Sequence, residues 1–229
     1  MTSIQSKSIL RNIFSLTTGQ AVSIIFNFLS ITLAARYLGV DSFGKFSYLL
    51  ALVVIVSKFI DFGFAPIVFR ELSTNKKSFA LLNTAIIIRG IFFFVVLVIF
   101  NLGLLLFDFN KIEIILANIL IFNTFLSTKF ISFRELLDLP FKVNLTMHYP
   151  MMIMLIDNTI LFLLVLLMPY VNGDITYFVT VYVLSNIPGF LLMLLLLKKK
   201  YNFRPEIKIE KVKWLFITSL PFYGFVLVD

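Results

Sequence analysis

Asp157 stands inside an apolar run, in Met154-Leu155-Ile156-Asp157-Asn158-Thr159, with no basic residue near it in the sequence. A charged side chain at the centre of a bilayer costs about 2.5–3.5 kcal/mol or more, so such a residue faces a bundle interior or a water-filled cavity. Two readings follow. Asp157 is a proton- or cation-responsive group in a translocation path, or a structural carboxylate bonded to Asn or Thr of a neighbouring helix.

Other polar residues in apolar surroundings each carry a pair of readings. Arg89, beside Gly90, falls where a long apolar run begins. It either snorkels to the interface or lines a cavity as a cation that grips phosphate through two parallel hydrogen bonds. Lys58 and Asp61 stand three residues apart, a spacing that lets them pair on one helix face. Asp61-Phe62-Gly63-Phe64-Ala65-Pro66 then breaks the helix ahead of Arg70-Glu71, so the pair marks a gate hinge or a neutralised interfacial turn. Arg36 ends an apolar run, where it lines an outer vestibule or anchors a helix C-terminus against its dipole. Gln20, next to Gly19, binds substrate or glues helices together.

Covalent chemistry finds no support. His148 is the only histidine, without His, Cys or carboxylate at ligand spacing, so no metal site is predicted. No nucleophile elbow, phosphate-binding glycine loop or metalloprotease helix occurs. Cys is absent, which removes disulfides and thiol catalysis. No catalytic set and no cofactor is expected.

These residues need elements to hold them, and composition says which. Hydrophobic residues make up 60% of the 229, Phe alone numbers 28, and charged residues are 14%, against about 25% in soluble domains. Mean hydropathy is +1.00, and several apolar runs exceed the length of about 18 residues that marks a bilayer crossing. Backbone groups in lipid must be satisfied within their own segment, and the runs lack the alternation of a β-barrel, so helices are forced. The expected fold is all-α: a polytopic membrane bundle of six spans plus the start of a seventh. The segments are approximately Asn12–Ala35, Phe43–Ile60, Phe79–Phe107, Ile112–Phe130, Met147–Tyr170, Ile175–Leu197 and Val212–Val228.

The net charge of +8 belongs to loops, and no basic patch interleaved with stacking aromatics points to nucleic acid. With the N-terminus cytoplasmic, one side receives Lys7, Arg11, Arg70, Lys76, Lys77, Lys129, Arg134, Lys142 and the cluster from Lys198 to Lys213. The other receives only Arg36, Lys45 and Lys111. Cytoplasmic loops are the basic ones, so this bias sets the orientation and supports the span count. The first apolar segment is too long for a signal peptide and lacks a small-residue cleavage site, so no cleavable signal peptide is expected. Outer loops are too short to form an external domain. The stretch Lys129–Lys142 reads as an amphipathic helix lying along the cytoplasmic interface.

The hairpin between the first two runs reads Ala35-Arg36-Tyr37-Leu38-Gly39, then Phe43-Gly44-Lys45-Phe46, with Gly39 and Gly44 as backbone breakers. Together with Gly19-Gln20 in the first span, it resembles the N-terminus of bacterial polysaccharide flippases. These are the O-antigen and capsule exporters of the multidrug/oligosaccharidyl-lipid/polysaccharide superfamily. The stretch Asp61-Phe62-Gly63-Phe64 followed by Arg70-Glu71 resembles a second motif of that family.

The resemblance implies two six-span halves. Residues 1–200 would be the N-terminal bundle, 201–211 the cytoplasmic linker between halves, and 212–229 a truncated first span of the second half. Lys213–Phe222 faintly echoes Arg11–Leu16, as a parallel repeat would. An apolar run ending at Asp229 leads us to expect a fragment or the product of a truncated gene. The implied activity is movement of a lipid-linked oligosaccharide across the bacterial cytoplasmic membrane by alternating access. The partners would be the lipid bilayer, a polyprenyl-pyrophosphate-linked glycan whose pyrophosphate Arg89 would meet, and other polysaccharide assembly proteins. Three alternatives stand beside it: a drug or cation antiporter of the same superfamily, a membrane enzyme such as an O-antigen polymerase or acyltransferase, and an inert half. The enzyme would need a large external loop or a buried His/Asp site.

Overall fold

The computed structural model describes residues 3–74, 79–128, 133–201 and 209–228, with side chains over 17–74, 79–128, 133–201 and 212–224. The side chains of Lys7 and Arg11, the loop cations Lys76, Lys77 and Lys129, most of the expected linker (202–208) and Asp229 lie outside the described residues.

Among the described residues every regular element is a helix, as a chain solvated by lipid requires. In order they are α1 (Ser3–Asp61), α2 (Phe64–Thr74), α3 (Ala80–Leu106), α4 (Lys111–Leu126), α5 (Phe133–Val143), α6 (His148–Leu166), α7 (Ile175–Leu184), α8 (Ile187–Tyr201) and α9 (Ile209–Val228). Among the described residues, four stretches are long and apolar enough to cross a membrane: Thr17–Asp61, Ala80–Leu106, His148–Leu166 and Ile175–Tyr201. Their outer faces are greasy. Phe28, Phe94, Ile99 and Leu195 are all more than 60% exposed, a surface that water would penalise and acyl chains accept. The protein is a multi-pass membrane protein.

The first two expected spans are both carried by α1, which is interrupted at Gly39 (φ 76°, ψ 176°). Only glycine adopts that conformation cheaply. Ile31 and Val54 would lie about 35 Å apart on a straight helix. Here they line one cavity together with Asn27, Phe46 and Leu50, so the two limbs fold back on each other. The break needs one glycine, not two: Gly44 sits inside the second limb with ordinary helical geometry.

Helix α4 has 16 residues, about 24 Å, and is shorter than the roughly 30 Å hydrocarbon layer. It starts on a capping box in which Asn110 Oδ1 accepts from the Glu113 amide (2.9 Å) and the Asn110 amide donates to Glu113 Oε2 (3.2 Å). The sixth expected span is broken into α7 and α8. Pro188 has no amide to donate to Leu184, and the Asn186 amide turns back to the Val183 carbonyl at 3.1 Å.

The largest departure from expectation is α5. The amphipathic pattern is real, but the helix does not lie on the surface: eight of its eleven residues are buried. Phe133 packs in the core of α1, α3, α4, α6 and α7. Leu136, Leu139 and Val143 enter a second core with α2, α3 and α9, and Leu137 and Phe141 a third with α6 and α8. A helix with apolar side chains facing three cores has no face left for an interface.

Candidate functional site

The middle of the bundle is polar at several levels. Asn101 of α3 and Asn118 of α4 exchange both amide hydrogen bonds (3.0 and 2.8 Å). Asn186, in the α7–α8 break, donates to Asn123 Oδ1 at 3.2 Å. Asn158 donates to Ser23 Oγ at 2.6 Å, and Ser23 Oγ donates on to the Met154 carbonyl at 3.3 Å. Such bonds hold helices together where apolar surface gives no advantage over lipid.

Among the described residues two buried ion pairs dominate. Asp157, halfway along α6, meets Arg134 in the first turn of α5 at 2.5 Å, with side-chain exposures of 3% and 0%. The same Arg134 Nη1 donates to the Leu126 carbonyl, the last residue of α4, at 2.9 Å. Its Nε and Nη2 have no hydrogen-bond partner among the described residues. Gly189, in the first turn of α8, closes the fourth side. A Cβ built there would come within 2.6 Å of Asp157 Cγ, so only glycine lets α8 approach this carboxylate. One guanidinium and one carboxylate thus tie α4, α5, α6 and α8 together.

The second pair joins Arg89 of α3 to Asp61, the last residue of α1. Arg89 Nη2 also donates to the Asp61 carbonyl at 3.3 Å, so one side chain answers both the carboxylate and a helix-terminal carbonyl. Glu135 of α5 lies within electrostatic reach of Arg89. Beyond Asp61 the chain turns through Phe62 (φ 50°) and Gly63 (φ 68°) into α2. The rings of Phe62, Phe64, Phe92, Phe216 and Tyr223 cluster over that turn.

The residues singled out from sequence are therefore placed as follows. Asp157 is buried against a cation. Arg89 is buried as well and does not snorkel. Asp61 pairs with Arg89 across helices rather than with Lys58 on its own helix; Lys58 is half-buried. Arg36 is exposed, one turn before the Gly39 break. Gln20 faces a cavity of about 280 Å³ that it shares with Asp138.

Sequence reasoning missed Arg134, Asp138 and Gly189. It sorted Arg134 with the cytoplasmic loop cations. The available signal was the i, i+4 spacing of Arg134 and Asp138, which puts both charges on one face of α5. Among the described residues no group of three or more His, Cys, Asp or Glu could hold a metal ion.

Compared with known proteins, residues 9–227 match the family model described as "Polysaccharide biosynthesis protein". No curated protein and no solved structure matches the chain.

Proposed function

The chain belongs to the polysaccharide biosynthesis protein family, and from that premise we propose that it is a flippase-type transporter bundle and not an enzyme. Its cargo is a lipid-linked oligosaccharide unit of O-antigen, capsule or exopolysaccharide, carried by polyprenyl pyrophosphate across the bacterial cytoplasmic membrane. The N-terminus is cytoplasmic, as the sorting of basic loops implies. Six spans, counting the two limbs of α1 separately, form one bundle over residues 1–200. Helix α9, after the 201–211 linker, begins an adjoining bundle. Its Leu215 and Phe216 pack on α2 and α3, where the seam between two halves would run.

The reading rests on family membership and on one observation: the Arg134–Asp157 pair, fully enclosed where four helices meet. Alternating access needs helices that hold one arrangement firmly and can exchange it for another. A buried charge pair suits that task because both partners must stay matched in either state. The glycan needs a hydrated cavity between bundles, while its polyprenyl tail stays in lipid.

The test is surface glycan display in a flippase-null strain carrying the natural gene, with protein in the membrane quantified alongside. Asp157→Asn is expected to lower displayed glycan about tenfold or more, equivalent to about 1.4 kcal/mol or more, at matched protein levels. Unchanged display would remove Asp157 from the mechanism, and failure of the wild-type gene to restore any glycan would sink the transport reading.

A further inference from the structure

Helix α5 carries a carboxylate that neither ion pair uses. Asp138 lies one turn beyond Arg134 and lines the cavity of about 280 Å³ between α1, α5 and α6, whose walls are Gln20, Met147, Pro150, Met151 and Met154. Its Oδ1 is enclosed and has no hydrogen-bond partner among the described residues. Enclosure without a partner penalises a charged carboxylate far more than a neutral one.

The surrounding charges do not reverse that preference. On its own helix Arg134 and Lys142 favour the anion and Glu135 opposes it, but Arg134 is already committed to Asp157. The cavity wall from α1 and α6 is an amide, three thioethers and a proline, all uncharged. On α6, His148 is exposed. Arg89 of α3 meets Asp61. On α2, Arg70 is exposed and Glu71 half-buried, and on α4, Lys111 and Glu113 stand at the far end. On α8, Lys198 to Lys200 are exposed, Lys200 with its Nζ over the Tyr149 ring at 3.7 Å. Burial outweighs the rest and pushes the Asp138 carboxyl up to about 7.

We propose that Asp138 and the methionine-walled cavity it faces form a proton-binding site that couples protonation to the grip of α5 on α6. Proton binding rests on the cavity alone; only the coupling rests on the transport reading. A hard cation is a poor fit, since six or so oxygen ligands would be wanted and thioethers supply none. The coupling runs through Arg134. When a proton from the aqueous side forms the O–H bond, Asp138 is neutral and Arg134 belongs wholly to Asp157. When the proton leaves, the two carboxylates compete for one guanidinium, and the hold of α5 on α6 loosens.

The experiment is pH-difference infrared spectroscopy of the full chain in lipid nanodiscs. Wild type is expected to lose a protonated-carboxyl C=O band as the pH rises, with a midpoint near about 7. Asp138→Asn should abolish the band, Asp138→Glu should keep it at a shifted midpoint, and Asp157→Asn should keep it. The site is overturned by a wild type without such a band, by a band that survives Asp138→Asn, or by a midpoint that moves with sodium concentration. An intact band in a protein that restores no surface glycan would instead count against transport and leave the proton site standing. Full restoration by Asp138→Asn, with its dependence on pH unchanged, would overturn the coupling.

Discussion

The two buried ion pairs use the same residue types in mirrored settings. Asp61 is an anion at the C-terminal end of α1, and Arg134 is a cation in the first turn of α5. Each sits where the helix dipole opposes its charge. Their partners, Arg89 and Asp157, stand in the interior of α3 and α6, where the dipole has little say. In both cases a mid-helix charge rescues a wrongly signed helix end. The difference lies in what else each pair holds. Arg89 closes back on the Asp61 carbonyl, so that pair fastens one helix end to one neighbour. Arg134 reaches the end of α4 as well as α6, and α8 presses against Asp157 through Gly189. The first pair is a rivet, the second a junction.

Mutation can break this comparison. Removing a mid-helix partner, by Arg89→Met or Asp157→Asn, strands a buried charge that the dipole also opposes. We expect a loss of about 3–5 kcal/mol in each case, read as unfolding free energy in detergent or nanodiscs. Removing the terminal partner, by Asp61→Asn or Arg134→Met, relieves the dipole conflict and should cost less by about 1 kcal/mol. The reverse order in either pair would show that the mirrored settings are irrelevant.

A smaller effect separates junction from rivet. Gly189→Ala should cost about 1–3 kcal/mol by overpacking, and it should act on Asp157 alone. In an Asp157→Ala background, where the carboxylate is gone, the same change should be nearly free, because contacting residues are not additive. Additive losses would mean that Gly189 serves something other than the charge pair.

A separate effect is a pH dependence confined to the junction helix. Asp138 binds its proton more tightly folded than unfolded, so its contribution to stability is greatest below the ordinary carboxylate range. It declines as the pH rises from about 4 to about 7, and is flat above. Thermal melting across that window should therefore show a decline that Asp138→Asn removes. An unchanged profile in the variant would assign the decline to other groups.

Much of this architecture was legible in the order of residues. The apolar runs, the helix class and the break at Gly39 follow from hydropathy and from glycine's freedom at positive φ, both local properties. Asp157 was conspicuous for the same reason: an ionisable group in an apolar run stands out without knowledge of its neighbours. Its partner was not. Arg134 lies 23 positions away, on a short helix whose charges and spacing are those of a surface element, and sequence places it with the loop cations. Lys58 and Asp61 illustrate the converse. Their spacing permits a pair within one helix, and a cation from α3 took the carboxylate instead.

What the linear order determined, then, is the solvent and the elements: a chain this apolar must sit in lipid, and in lipid it must be helical. What only the folded packing decided is which charges meet. A bilayer interior penalises a lone ion, so a buried ionisable group is either paired with an opposite charge or held neutral. Which partner it finds depends on where helices distant in sequence come within hydrogen-bonding distance, and glycine at position 189 or the inward turn of α5 has meaning only there.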